Sequence, residues 1–301
     1  MYHSVIMMPS TLRLLVVSYG VGLDSTALLV ELHNRGIRPD LIIFSDTGDE
    51  KPETYAYLDV INRWLARVGF PAVTIVRYAP TRAPYTTLEG KCLANETLPS
   101  LAFGGHSCAL VFKRDVMVKY LKSWAPALAA IERGEKIVKA IGYDASKADL
   151  RRRGKADRAT DKIRLKIAER ADRGKAPQAD QWEVAHCEFA YYLQDWGLER
   201  ASLAAIIESA GLPRPCKSAC FHCPASKPAE VVQLRLDHPE LYWRAVAMER
   251  RARDGRHGLT TKAGLGMGGW AWEWLADCAH PEDADQHLRD RGAKITEGLR
   301  P

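Results

Sequence analysis

Long apolar runs are missing from this chain of 301 residues. The longest run near its start has about seven residues, which is too short for a bilayer span, and no secretory cleavage pattern accompanies it. The seven cysteines, in the reducing compartment that these absences favour, are better interpreted as free thiols or metal ligands than as a disulfide framework. We therefore expect a cytoplasmic protein without membrane association.

The first motif lacks the lysine of a P-loop. Residues 14 to 26, Leu-Leu-Val-Val-Ser-Tyr-Gly-Val-Gly-Leu-Asp-Ser-Thr, predict a buried strand, a glycine turn and the start of a helix. Gly20 and Gly22 would let the backbone turn tightly, and the first amides of the helix would favour an anion. Leu23 and Asp24 precede Ser25, where a P-loop has its lysine. The segment predicts a phosphate site of another type, with a purely structural turn as the alternative.

A second motif follows about 20 residues later. Residues 41 to 45 predict another buried strand, followed by Asp46-Thr47-Gly48 and then by Pro52-Glu-Thr at the start of an amphipathic helix. In a doubly wound sheet, a carboxylate at the end of the strand beside the phosphate loop lies over the nucleotide crevice. The blander interpretation is a turn followed by a capped helix.

Together the two motifs resemble those of the phosphoadenosine phosphosulfate (PAPS) reductase-like family, within the adenine nucleotide alpha hydrolases or N-type ATP pyrophosphatases. The usual PP-loop of that superfamily reads Ser-Gly-Gly-x-Asp-Ser, whereas Gly20 occupies the serine position here and Val21 the first glycine. The resemblance implies an α/β fold, a Rossmann-like (HUP-type) parallel sheet with helices on both faces. It also implies ATP and Mg²⁺ as ligands.

The resemblance also assigns roles to residues. The implied nucleotide-binding residues are Ser18, Tyr19, Gly20, Gly22, Asp24, Ser25, Thr26, Asp46, Thr47 and Gly142. The implied catalytic residues are Asp24, Ser25, Asp46 and Lys113. The segment from Lys136 to Asp144 resembles the family strand that a downstream arginine follows, so Arg151 and Arg152 are expected to contact a substrate phosphate or sulfonate. Ser146 and Lys147 stand where the family has a Glu-Ser pair.

Three cysteines lie within eight residues, as Cys216-x3-Cys220-x2-Cys223, and predict a metal site. Radical S-adenosylmethionine enzymes share this spacing, but they place it early in a β/α barrel, whereas 78 residues follow Cys223 here. The run is more similar to the cysteine pair of PAPS reductase-like proteins, in which an earlier cysteine is followed by a lysine. Cys108 and Lys113 match that pattern.

The implied ligand set is therefore Cys108, Cys216, Cys220 and Cys223, with Cys92, Cys187 or a histidine such as His222 as substitutes. Zinc and a 4Fe-4S iron–sulfur cluster are both compatible with these donors. A zinc knuckle that only holds the C-terminal domain together is the structural alternative.

Positive charge is concentrated between Lys147 and Lys175, where the net charge is +7, against +6 for the whole chain. We expect a basic surface insertion at about residues 145–182, partly helical or mobile, within a nucleotide-binding α/β domain at 10–213. A small, mainly helical, cysteine-bearing C-terminal domain is expected at 214–301. The basic strip containing Arg151, Arg152 and Arg153 could contact polyphosphate or a nucleic-acid backbone, or be a solvated face without a partner.

The expected function is cleavage of ATP to AMP and pyrophosphate to adenylate an acceptor, for sulfur transfer, with a nucleic acid as one acceptor and a sulfur donor protein as one partner. A sulfonucleotide reductase is the alternative enzyme. Its usual Glu-Cys-Gly-type tail is missing, since the chain ends in Lys-Ile-Thr-Glu-Gly-Leu-Arg-Pro. A nucleic-acid-binding protein with a degenerate nucleotide site is the alternative from another class.

Overall fold

The computed structural model describes residues 13–256, 258–259 and 263–293. Residues 10–12 of the predicted first domain and the C-terminal eight residues lie outside this part. Five strands form one parallel sheet in the order β3-β2-β1-β4-β5. Their bounds are β1 (Leu15–Ser18), β2 (Leu41–Asp46), β3 (Val73–Arg77), β4 (Ile137–Ile141) and β5 (Cys187–Ala190).

Helices connect the strands and form the C-terminal part of the chain. Those of the described residues are α1 (Leu23–Asn34), α2 (Pro52–Arg67), α3 (Leu88–Ala94), α4 (Ser107–Ala109), α5 (Asp115–Leu121), α6 (Ala125–Glu132), α7 (Lys147–Ala171), α8 (Trp182–His186), α9 (Tyr192–Asp195), α10 (Arg200–Ser209), α11 (Pro228–Asp237), α12 (Pro239–Asp254) and α13 (Ala284–Asp290). A π-helical turn spans Leu110–Arg114. Short 3-10 helices span Ser100–Phe103, Ala179–Gln181, Trp272–Leu275 and Pro281–Asp283.

Both faces of the sheet are covered by helices. Successive strand residues point to opposite faces, so Val17 and Phe44 pack with α1, α2 and α10. Val16 and Ile43 belong to a separate core with residues of α5 and α6. This double burial explains why the strands are apolar along their whole length. The predicted Rossmann-like parallel sheet with helices on both faces is confirmed.

A second large core joins the C-terminal helices to the segment between β3 and α5. It contains residues of α3, the buried Phe112 of the π-helical turn, and much of α11 and α12. Glu50, just after β2, forms an antiparallel bridge with Cys220, so the cysteine run lies at the carboxyl end of the sheet. The proposed domain boundary near residue 213 stays a prediction.

Most of the basic segment forms one helix, α7, in agreement with the expectation of a partly helical insertion. Ser146 caps its first turn by accepting a hydrogen bond from the Asp149 backbone amide. In the sequence, α7 follows β4 and precedes β5. Because these two strands are adjacent and parallel in the sheet, α7 belongs to their crossover connection. Among the described helices, none combines the length and apolar character required to cross a membrane.

The glycine-rich segment at residues 264–269, which follows α12, packs against a buried carboxylate. Glu249 is fully buried, and its side chain accepts hydrogen bonds from the backbone amides of Leu265, Trp272 and Glu273. A Cβ on Gly264 would lie 2.2 Å from Oε1 of Glu249, so the segment needs glycine to approach this closely. The segment therefore has a structural role.

Glu249 is expected to make stability depend on pH. Burial raises its pKa from the usual 4.5 to about 7, although the three backbone hydrogen bonds oppose the shift. Between pH 4.5 and 7, Glu249 is ionised in the unfolded chain but protonated in the folded one. Its contribution to stability is therefore full below pH 4.5 and is lost as pH rises through 7. The difference in free energy of unfolding between the wild type and Glu249→Gln should change by about 3 kcal/mol from pH 4.5 to 7.5 in urea titrations. A pH-independent difference would contradict this prediction.

Candidate functional site

The glycine loop between β1 and α1 is closed by the hydroxyl of Ser25. Gly22 caps α1, and Oγ of Ser25 accepts hydrogen bonds from the backbone amides of Gly20 at 3.2 Å and Gly22 at 3.4 Å. Ser25 is 7% exposed. Its side chain therefore fixes the shape of the loop at the positive end of the α1 dipole.

Val21 has a backbone conformation that favours glycine. Its φ is 56°, in the left-handed region that a β-branched residue rarely adopts, and its side chain is fully buried. Strain of this kind costs about 1–3 kcal/mol and persists where the surroundings enforce it. The loop thus has a left-handed backbone at this position despite the β-branched side chain of Val21.

The other predicted residues of this loop have different environments. The hydroxyls of Tyr19 and Thr26 lie 3.1 Å apart, and both side chains are buried beneath the loop. They support the loop from inside the core. Ser18, at the end of β1, has a buried hydroxyl with no hydrogen-bond partner among the described residues, whereas Gly20 is exposed.

Gly142, which follows β4, packs directly against the start of α1. A Cβ at this position would lie 3.0 Å from both the backbone nitrogen and Cα of Ser25. Real Cβ atoms are seldom found this close to backbone atoms, so the glycine allows β4 and the loop to approach each other.

Gly142→Ala is expected to lower the free energy of unfolding by about 1–3 kcal/mol, because the added methyl group forces the start of α1 to move. The same movement should weaken phosphate binding. Gly154→Ala in α7 is the matched control, since its nearest neighbour would be the flexible end of Arg158 at 3.6 Å. That helix substitution should raise stability by about 0.5–1 kcal/mol. Equal stability of the two variants in thermal or urea unfolding would refute the packing argument.

Three carboxylates converge beside the loop. Asp24, Asp144 and Asp149 each place an oxygen within 4.8 Å of the others, and Asp144 and Asp149 are buried. Asp144 follows β4 and Asp24 follows β1, at the point where the strand order reverses. This is the crevice where doubly wound sheets bind their ligands. The three oxygens match the donors that Mg²⁺ prefers.

The same carboxylates border a cavity of about 370 Å³. Its charged lining residues are Asp24, Asp144, Asp149, Arg152, Arg200, Lys217, Lys227 and Glu230. Burial raises the pKa of Asp24 to about 6, while Arg200, which contacts it at 3.0 Å, lowers it and the two other aspartates raise it. We call this space the nucleotide cavity, because the sequence predicts a nucleotide site beside this loop.

The structure places Asp46 differently from the loop residues. Its carboxylate is buried and accepts hydrogen bonds from the Gly48 amide, the Tyr55 hydroxyl and Nε of Arg77, each at 2.8 Å. Asp46 therefore organises the turn after β2, and it is not among the lining residues of the nucleotide cavity.

A second cavity, of about 190 Å³, holds three of the predicted thiols. Cys108, Cys220 and Cys223 line it together with Thr47, Lys113 and His222. Oγ1 of Thr47 lies 3.1 Å from Sγ of Cys220. We call this space the cysteine cavity.

The remaining cysteines lie outside the lining of the cysteine cavity. Cys216 has its sulfur 3.9 Å from Oγ1 of Thr54. Cys92 is buried in α3 near Cys108. Cys187 begins β5, at the amino end of the sheet, away from the other cysteines of the predicted set.

Lys113 supplies positive charge to the thiols. Its Nζ lies 3.5 Å from Oε1 of the buried Glu50. Burial lowers the pKa of Lys113, but Glu50 and the neighbouring Cys220 and Cys223 outweigh this effect and leave it raised. For Cys220, burial and Glu50 raise the thiol pKa and Lys113 lowers it. A protonated Lys113 would favour thiolates here once a metal group binds.

The two cavities lie on either side of one short segment. Lys217 lines the nucleotide cavity, and the next residues, Ser218 to Cys220, line the cysteine cavity. A Cβ on Gly22 would lie 3.8 Å from Cβ of Ser218, so this segment contacts the phosphate loop itself. Chemistry at the loop and at the thiols would therefore take place on neighbouring sites.

The three arginines of the predicted basic strip, Arg151 to Arg153, lie in different environments. Arg152 donates to Asp149 at 2.9 Å and stacks on Tyr143, so it belongs to the nucleotide cavity. Arg153 stacks on Tyr191 and contacts Asp195. Arg151 is exposed and is not among the cavity residues.

No protein-family model matches the chain, and no curated protein matches it. The structure is similar to that of a tRNA thiolase. The U34-tRNA thiolase NcsA from Methanococcus maripaludis, solved with its 4Fe-4S cluster, has 13% sequence identity to the chain and a TM-score of 0.37. The match covers 81% of this chain and 74% of that one. At these values the likeness assigns no substrate, cofactor or partner to the chain.

Sequence reasoning missed several charged residues of the two cavities. Asp149 and Arg200 reach the nucleotide cavity from helix starts far from the phosphate loop in sequence. Asp49 and Glu50, between Gly48 and Pro52 of the second motif, are both buried and contact His222 and Lys113 of the cysteine cavity. Two adjacent acidic residues in the turn that follows a strand end were a signal that could have identified this pair.

Proposed function

We propose that the chain is a PP-loop enzyme that cleaves ATP to AMP and pyrophosphate and so adenylates an acceptor for sulfur transfer. One observation carries this proposal. The phosphate loop and three carboxylates meet at the topological switch point, beside a cavity with three thiols. A phosphate site next to thiols suits a reaction that activates an oxygen and then replaces it with sulfur.

In the proposed reaction, an acceptor oxygen attacks the α-phosphorus of ATP. The bond from that phosphorus to the bridging oxygen breaks, and pyrophosphate leaves with the electron pair. Sulfur then attacks the activated carbon, and AMP leaves with the acceptor oxygen. Lys217 and Lys227 of the nucleotide cavity would attract the polyphosphate, and the amides at the start of α1 would hold one of its phosphates.

Mg²⁺ fits the three aspartates, since hard oxygen donors suit this ion and two of them are buried. When bound, it would neutralise charge that develops on the phosphates. Asp24, Asp144 and Asp149 would hold it. Arg200 and Arg152, now paired with Asp24 and Asp149, would be available to face phosphate oxygens.

An iron–sulfur cluster fits the cysteine cavity better than zinc does. Tetrahedral zinc, with Zn–S distances of about 2.3 Å, keeps its sulfurs within about 4 Å of one another. Among the described Asp, Glu, His and Cys side chains, the three aspartates are the one group of three or more with all ligand atoms within 4.8 Å. Cys108, Cys220 and Cys223 are therefore spaced more widely than zinc requires. A bound cluster would carry or activate sulfur.

The acceptor is proposed to be a nucleic acid, because α7 presents basic residues on one side. Lys155, Arg158, Lys162 and Lys166 are exposed at helical spacings of three and four residues. Arg152, on the same helix, reaches the nucleotide cavity. A phosphate backbone along α7 would thus extend towards the reacting phosphate.

Replacing Lys155, Arg158, Lys162 and Lys166 with alanine is expected to weaken binding of single-stranded RNA and flatten its salt dependence. Each lost phosphate contact should reduce the slope of log K against log salt by about 0.7. Arg63→Ala, at an exposed position of α2, is the control and should change neither quantity. Fluorescence anisotropy over a salt series measures both. Wild-type binding that is negligible even at low salt would leave a small molecule as the acceptor.

The test of the proposed reaction uses ATP labelled at the α-phosphate, Mg²⁺, total cellular RNA and inorganic sulfide as the sulfur nucleophile that displaces AMP. AMP and pyrophosphate in equal amounts would support the proposal, whereas ADP and phosphate would contradict it. Sulfite released from PAPS would support the reductase instead. Calorimetry of ATP binding without RNA tests the nucleotide site independently of the acceptor.

A further inference from the structure

We infer that His222 is a ligand of the metal group in the cysteine cavity, so that the group is held by Cys108, Cys220, Cys223 and the Nδ1 atom of His222. The inference rests on the proposed function, because it concerns the cluster proposed there. It replaces Cys216 as the fourth donor of the predicted set.

The first observation is the unpartnered nitrogen of His222. The side chain is completely buried, and Nδ1 has no hydrogen-bond partner among the described residues. A buried polar atom without a partner is costly to a fold, and such atoms often mark the place of an absent ion or ligand. The ring also lines the cysteine cavity together with the three thiols.

The second observation is the contact at the other nitrogen. Nε2 of His222 lies 3.1 Å from Oδ2 of Asp49, which is also buried. If Nε2 donates its proton to this carboxylate, Nδ1 is left as the neutral acceptor that binds metals. A carboxylate that orients a histidine in this way is a common feature around metal ligands. Asp49 is therefore assigned as the positioning residue.

The third observation is the position of Cys216. It is not among the lining residues of the cysteine cavity, and its sulfur lies near Thr54. His222 stands between Cys220 and Cys223 in the sequence, so the same turn presents all three side chains. Three thiols and one imidazole make a complete set of four donors.

The test is pulsed electron paramagnetic resonance on the full-length protein, assembled with iron and sulfide without oxygen, reduced, and labelled with ¹⁵N-histidine. A ¹⁵N coupling from a directly bound nitrogen is expected, and it should vanish in His222→Gln. His222→Cys should keep the iron content and lower the reduction potential, because a thiolate replaces a neutral imidazole. His186→Gln, before β5, is the control and should keep the coupling.

A wild-type cluster without ¹⁵N coupling would overturn the inference while leaving the proposed cluster intact, and this result needs no variant to fold. Wild-type protein that takes up zinc and no iron would show that the proposed cluster is wrong. X-ray absorption at the zinc edge would then show separately whether His222 is a metal ligand. Three sulfur neighbours and one nitrogen would support it as a ligand, and four sulfurs would contradict it.

Discussion

Asp144→Asn is expected to slow ATP cleavage by roughly 100- to 1,000-fold, because a metal that neutralises charge in the transition state contributes several kcal/mol. Asp144 is buried beside Asp24 and Asp149, so an amide in its place removes negative charge where water cannot replace it. The affinity for Mg²⁺ should fall together with the rate. Rates measured over a Mg²⁺ series would show whether excess metal restores part of the activity.

The control for Asp144→Asn is Asp161→Asn, at an exposed ion pair with Arg164 on α7. It should leave the rate of ATP cleavage unchanged, since exposed pairs contribute little. The melting temperature of Asp144→Asn should be recorded as well, because its carboxylate accepts a hydrogen bond from the Ser146 amide. A folded Asp144→Asn variant with a wild-type rate would show that the three carboxylates do not take part in ATP cleavage.

Cys220→Ser is expected to abolish most cluster binding. Its sulfur is buried against Thr47 in the cysteine cavity, and a hydroxyl is a harder and far less acidic donor than a thiol. Iron and sulfide analysis after anaerobic assembly should show the loss, together with loss of the brown colour expected of the assembled wild type.

Two other cysteines serve as controls for this experiment. Cys278→Ser should retain the cluster, because Cys278 is buried near His280 and does not line the cavity. Cys216→Ser should also retain it if His222 is the fourth donor. Equal loss of iron in Cys216→Ser and Cys220→Ser would instead restore the four-thiolate set predicted from the sequence.

The sequence alone determined the α/β architecture and the position of the phosphate loop. Strands buried on both faces must be apolar throughout, and a glycine turn before a helix leaves free amides at the helix start. These are local properties, so residues 14 to 26 and 41 to 54 were enough to predict β1, α1, β2 and the start of α2. The cysteine spacing likewise indicated a metal site without reference to the rest of the chain.

The tertiary structure alone decided which side chains share a site. The crossover connections place Asp149 and Arg200 next to Asp24. The bridge between Glu50 and Cys220 places His222 next to Asp49. Contacts between distant segments depend on how the whole sheet and its three cores pack, which no local pattern records. The same packing brings the Asp46 carboxylate to Tyr55 and Arg77, contacts that its place at a strand end did not predict, and its nucleotide contact stays a prediction. Local sequence patterns therefore determined the strands and helices named above, and the packing of distant segments determined which residues form the candidate site.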